Sequence, residues 1–246
     1  MNKAQPVVSN KEIELALQHG SFALQGEFLY GSNRTFLCDL TYEEETMNCV
    51  YKPARGERPL WDFETGSLPG REAAAYLVDT LLGWHVVPPC VIRNDGPFGL
   101  GSLHWFIEHD PQQHYFTFTE QQKQTLQRVV LFDVLINNAD RKGGHFLLDA
   151  QDKIWLIDHG LCFHTEDKLR TVIWDFAGEA IPEEITADMK TLQQHINQDE
   201  MTRKDFLALI DEHEFSAIEE RLAQIVMMKT YPAPSEERRM IPWPLV

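Results

Sequence analysis

Lys52 ends the apolar stretch NCVYKP, Glu72 stands at the head of REAAAYLVDTLLG, Asp140 lies in NNADRKGGH and Asp158 closes KIWLID. Each is ordinary alone: a strand-edge lysine, an acid in the first turn of a helix, an aspartate in a glycine-rich turn, a strand running into a loop. Their order along the chain matches the needs of phosphoryl transfer. That chemistry asks for a cation on the phosphates, an acid to hold that cation, a carboxylate beside the attacking hydroxyl, and a carboxylate for a divalent metal.

The elements that must position these groups follow from local pattern. Residues 21–53 read as strands, with a turn at Gly31 to Asn33. A loop ending at Pro69 and Gly70 leads to an Ala- and Leu-rich helix that stops at Gly83. Two strand-like runs, VVPPCVI and LHWFIE, flank a hairpin, and HDPQQH then reads as a connection. Beyond it, residues 120–138 carry Leu126, Val129, Val130 and Phe132 at helical core spacing, HFLLD and KIWLID form a second hairpin, and acidic helical sequence runs to about Met228. A proline-rich stretch with Pro-Trp-Pro follows and is expected to pack against the helix-rich half. Strands first and helices second make an α+β chain, with a strand-rich lobe over residues 1–110 and a helix-rich lobe over 111–246.

The 246 residues are 43% hydrophobic, enough for a substantial core, and carry a net charge of -16. Such a charge argues against nucleic acid or an anionic membrane surface as a standing partner, though a nucleotide needs only a local positive cluster. Cys38, Cys49, Cys90 and Cys162 are scattered without metal-ligand spacing and read as reduced, buried thiols. With no apolar leader or membrane-length run, the expectation is a cytoplasmic protein without stable membrane association.

EAAAYLVDTLLGWHVVP, ADRKGGH and IDHGLCF together resemble the helix-then-strand segment, catalytic loop and metal-binding motif of phosphatidylinositol 3-/4-kinases, type II phosphatidylinositol 4-kinases above all. They also resemble bacterial proteins described as phosphatidylinositol-kinase-like. The resemblance spans roughly Tyr51 to Phe163 and implies a two-lobed protein-kinase-like fold that binds ATP with Mg²⁺ or Mn²⁺. It implies that Lys52 contacts the α- and β-phosphates, that Glu72 pairs with it, and that Asp140 orients the acceptor hydroxyl with Arg141 adding positive charge nearby. It further implies Asp158 as metal ligand, Phe106, Ile107 and Glu108 as the adenine-side hinge, and the turn Tyr30 to Arg34 as the phosphate-covering loop. His145 stands where the family places a metal-binding asparagine, and imidazole suits Mn²⁺ better than Mg²⁺. His159 and His164 read either as partners of His145 in a metal cluster or as hydrogen-bonded loop histidines.

The resulting expectation is an ATP-dependent phosphotransferase acting on a hydroxyl of a protein, lipid or metabolite. The alternative is a nucleotide-binding pseudokinase that engages a protein partner; transfer of the nucleotide itself is a third possibility.

Overall fold

The computed structural model describes residues 9–29 and 33–246. Ser9 and Glu12 make a reciprocal capping box, with the Ser9 N–H donating to the Glu12 carboxylate at 2.8 Å and the Glu12 N–H to the Ser9 hydroxyl at 3.3 Å. That box opens α1 (Asn10–His19), an addition to the elements expected. A five-stranded antiparallel sheet follows, built from β1 (Ser21–Glu27), β2 (Phe36–Tyr42), β3 (Glu45–Pro53), β4 (Cys90–Gly96) and β5 (Gly99–Trp105) in the order β1-β2-β3-β5-β4. Of the expected turn and phosphate-covering loop, Tyr30, Gly31 and Ser32 lie outside the described residues.

Period-two alternation on β3 divides its side chains between two jobs. Cys49 and Tyr51 are buried in a core with Ile13, Leu17, Phe36 and Leu103, while Val50 and Lys52 line a cleft on the opposite face. The helix expected from Arg71 starts earlier, as α2 (Leu68–Leu82), because Pro69 suits a first turn where its missing N–H costs nothing. Gly83, at φ +67°, closes it in the left-handed region. α2 is buried around most of its circumference, pressed between β4 and β5 on one side and α5 (Glu183–Gln198) on the other.

The stretch expected as one helix over 120–138 breaks into α3 (Glu120–Gln124) and α4 (Gln127–Ile136), with Thr125 and Leu126 between them. The second hairpin forms as expected from β6 (Phe146–Leu148) and β7 (Ile154–Leu156). α6 (Glu200–Leu207) and α7 (Glu212–Ile225) complete the helical half, their first turns capped by Asp199 and Asp211. One continuous core joins α2 to α4, α5 and α7 through residues such as Val78, Phe132, Met189 and Ile218. Trp155 and Phe163 are buried, and all four cysteines are buried and unpaired. No helix among the described residues is long and apolar enough to cross a membrane.

Candidate active site

Lys52 reaches from β3 into the cleft between sheet and helices. Its ammonium lies 2.5 Å from Glu72 Oε1 and 3.1 Å from Asp158 Oδ1. Burial opposes the charge, but Asp158 and Glu72 outweigh it, so the Lys52 pKa moves upward and the ammonium stays charged. Glu72 is 3% exposed and ties two elements together. Its second oxygen accepts the His159 backbone N–H at 2.9 Å, so one carboxylate holds both the sheet lysine and the loop after β7. Gly160 permits that close approach: a Cβ there would lie 3.3 Å from Leu68 on α2.

Asp158 has φ +65°, a left-handed backbone that aspartate tolerates better than most residues. Its side chain remains 53% exposed to the cleft. The charge of Lys52 holds its carboxyl below the usual range against the effect of burial. His145 Nε2 lies 3.3 Å from Asp158 Oδ2, and burial pushes the imidazole pKa down to about 4, leaving it neutral. Its Nδ1 accepts the Lys142 N–H at 3.4 Å, which assigns the ring proton to Nε2. His145 thus presents an N–H, not a lone pair, toward Asp158. Among the described residues no group of three or more His, Cys, Asp or Glu side chains is arranged to hold a metal ion. One half-exposed carboxylate fits a cation that takes its remaining ligands from phosphates and water, as Mg²⁺ commonly does.

Asp140 sits in the loop after α4, its N–H donated to Asn138 Oδ1 at 3.0 Å and its carboxylate 3.0 Å from the Lys142 ammonium. Burial raises its pKa against the opposing pull of Lys142. Asp140, Lys142, His145 and Asp158 line the same cleft, which measures about 840 Å³.

Arg141 requires a correction. It is fully buried and points away from the cleft, donating to both Asp133 oxygens at 3.0 to 3.2 Å, to the Ile157 carbonyl at 2.9 Å and to His159 Nε2 at 2.8 Å. Its charge is spent on Asp133, so it adds no free positive charge beside the acceptor. It is a positioning residue that ties the Asp140 loop to Ile157 and His159, on either side of Asp158 in the segment after β7. Asp133, which also takes the Thr171 hydroxyl at 3.1 Å and the Asn138 amide at 3.2 Å, is a residue that motif reading passes over. An acid inside VVLFDVLI was the available signal, since a fully buried carboxylate needs a partner.

The hinge expectation divides likewise. Phe106 and Ile107 line the cleft, whereas Glu108 is exposed and outside it, and His109 Nδ1 donates to the Ile107 carbonyl at 2.8 Å. His159 is buried in the Arg141 network and His164 Nδ1 accepts the Glu166 N–H at 3.0 Å, so neither joins His145.

The model of the family "Phosphatidylinositol 3- and 4-kinase" matches residues 70–213, more than half of the chain. The chain belongs to the phosphatidylinositol 3- and 4-kinase family. That match takes in Glu72, Asp140, His145 and Asp158, while Lys52 precedes it. Protein Rv2133c of Mycobacterium tuberculosis is 36% identical over 263 residues, covering 93% of each chain. The crystal structure of the Helicobacter pylori proinflammatory kinase CtkA is similar over 85% of this chain and 98% of that one, with TM-score 0.48 and 12% identity. The kinase-like α+β fold follows from the family match.

Proposed function

We propose that this phosphatidylinositol 3- and 4-kinase family member is an ATP-dependent phosphotransferase acting on a hydroxyl acceptor. The reading takes residues 1–110 and 111–246 as two lobes around the nucleotide. The observation that carries it is the contact chain from Lys52 to Glu72 and Asp158, with Asp140 on the same cleft wall.

In this reading Lys52 neutralises phosphate charge, and Glu72 keeps its ammonium in place while anchoring the His159 backbone. Asp140 orients the acceptor hydroxyl and takes its proton as the oxygen attacks. Lys142 holds the Asp140 carboxylate and limits its rotation. Phe106 and Ile107 pack against the base. Asp158 would hold the divalent cation, which supplies charge neutralisation on the phosphates. His145, with its proton on Nε2, steadies Asp158 by donating to it. Four scattered, unpaired cysteines favour the cytoplasm as its place of action.

Calorimetric titration with ATP, in Mg²⁺ and then Mn²⁺, tests this on the wild type and on Asp158→Asn. Metal-dependent binding that is lost in the variant is the expected result. Equal binding in both proteins would remove the site assignment.

One observation favours a second reading. Both Asp158 oxygens are engaged, by Lys52 and by His145, which would suit a pseudokinase that holds nucleotide without turnover. ATP binding with no release or transfer of γ-phosphate to any acceptor would select it.

A further inference from the structure

Part of the cleft wall comes from a segment that the nucleotide reading leaves unused. Residues 231–246 form no helix or strand, yet they are tied down at successive points. Arg238 donates to the Leu169 carbonyl at 2.8 Å and pairs with Asp167 at 2.5 Å. The Thr171 N–H donates to the Met240 carbonyl at 3.0 Å, and the Gly143 N–H donates to the Leu245 carbonyl at 2.7 Å. Met240 and Pro242 are buried, and Pro244 and Val246 face the cleft that holds Asp140. The strap runs first beside residues 167–171 and then over the loop, where Gly143 lies three positions beyond Asp140. A Cβ at Gly143 would lie 2.7 Å from Phe116 and 3.3 Å from the Leu245 carbonyl, so the glycine makes the seat.

The two inner ties are main-chain to main-chain bonds. Carbonyls repeated along an extended backbone can satisfy those N–H groups whatever the side chains, as in other strand-like recognition of peptides. A polyol or a lipid headgroup carries no such repeat. The strap residues Met240 to Val246 include no serine, threonine or tyrosine, so this occupant offers no hydroxyl to phosphorylate. Beside the strap, Glu166 pairs with Lys168 at 3.0 Å, and Asp167 takes the strap's own Arg238. A basic side chain leading into the subsite already has its acid, which favours a basic chain.

We propose that residues 240–246 rest in the acceptor subsite, and that the acceptor is an extended, basic polypeptide whose hydroxyl side chain enters when the strap leaves. The proposal rests on the phosphotransferase reading and specifies its substrate class. The acceptor O–H passes its proton to Asp140 and its oxygen bonds to the γ-phosphorus of ATP. The bond to the β,γ-bridging oxygen breaks and ADP departs.

The test uses the full chain and the double variant Arg238→Ala/Met240→Asp, which loosens the strap and leaves Lys52, Glu72, Asp140 and Asp158 in place. Fluorescence anisotropy reports binding of a labelled arginine-rich peptide with a central serine. The variant is expected to bind it about tenfold more tightly than wild type, because the resident competitor is gone. An unlabelled peptide of sequence 238–246 should displace it, and ATP should not. With γ-labelled ATP, label should reach the serine faster in the variant. Equal or absent peptide binding in both forms overturns the proposal, as does preferential labelling of free inositol. If the double variant does not fold, Arg238→Ala alone gives the same comparison. Loss of ATP binding in every form would bring down the phosphotransferase reading, while the anisotropy result would still decide the strap assignment.

Discussion

Asp140 and Asp158 bring one side chain into two electrostatic settings. Lys52 keeps Asp158 ionised, whereas burial favours the neutral form of Asp140 and only Lys142 and Arg170 offset it. In the proposed transfer, an acid that binds a cation and an acid that receives a proton need that separation. Asp140→Asn should therefore lower the transfer rate by about 10²- to 10⁴-fold with ATP affinity unchanged, measured by turnover and calorimetry together. Equal losses in both would give Asp140 a binding role instead. Asp133 works differently, because it touches no cleft surface. Asp133→Ala leaves the Arg141 guanidinium buried and unpaired, which typically costs about 3–5 kcal/mol. Urea unfolding should register that loss, and a change below about 1 kcal/mol would mean the network contributes little.

At the scale of elements, α2 carries charge inside a packed core. Asp79 is fully buried there and accepts the Val86 and Val87 N–H groups at 3.1 and 2.9 Å, fixing the turn into β4. Burial pushes its pKa up to about 6, although both N–H groups, His85 and Lys153 pull the other way. An unfolded aspartate titrates near 4, so the native state holds this proton more tightly. Ionised Asp79 thus costs stability above pH about 6, and the cost fades as pH falls from about 6 to about 4. Denaturant unfolding of wild type and Asp79→Asn across that window should show the wild type gaining relative to the variant as pH drops. A pH-independent difference would contradict the shift.

These same elements show what a sequence discloses. Lys52, Glu72, Asp140 and Asp158 were legible because strand, helix and loop patterns place them and each side chain has a narrow chemical use. The inward turn of Arg141 was not, because its partner lies on another element and a loop arginine reads equally well facing water. α1 was announced only by Ser9 and Glu12, a signal too local to stand out against a polar stretch. Pro-Trp-Pro announced that the strap packs on the helical half, but its seat on the Asp140 loop stayed hidden, because main-chain bonds from Gly143 and Thr171 leave no mark on side-chain periodicity.

For the whole molecule, a net charge of -16 sets the long-range field that any ligand meets. Metal-bound ATP is itself anionic, so repulsion slows its approach and salt should relieve it. Raising ionic strength from about 0.01 M to about 0.15 M shortens the screening length from about 30 Å to about 8 Å. Stopped-flow association of ATP should accelerate over that range, while association of an arginine-rich peptide should slow. Parallel salt slopes for the two ligands would show that local groups, not the overall charge, govern encounter.

The positive φ of Asp158 has a consequence for how this protein tolerates change. Glycine and asparagine relieve or accept that backbone, whereas valine, isoleucine or alanine must strain it. In a saturation library, cellular abundance and phosphate transfer should therefore part company at this one codon. Asparagine and glycine should accumulate as well-folded, silent proteins, and branched residues should be lost to degradation before their chemistry is ever sampled.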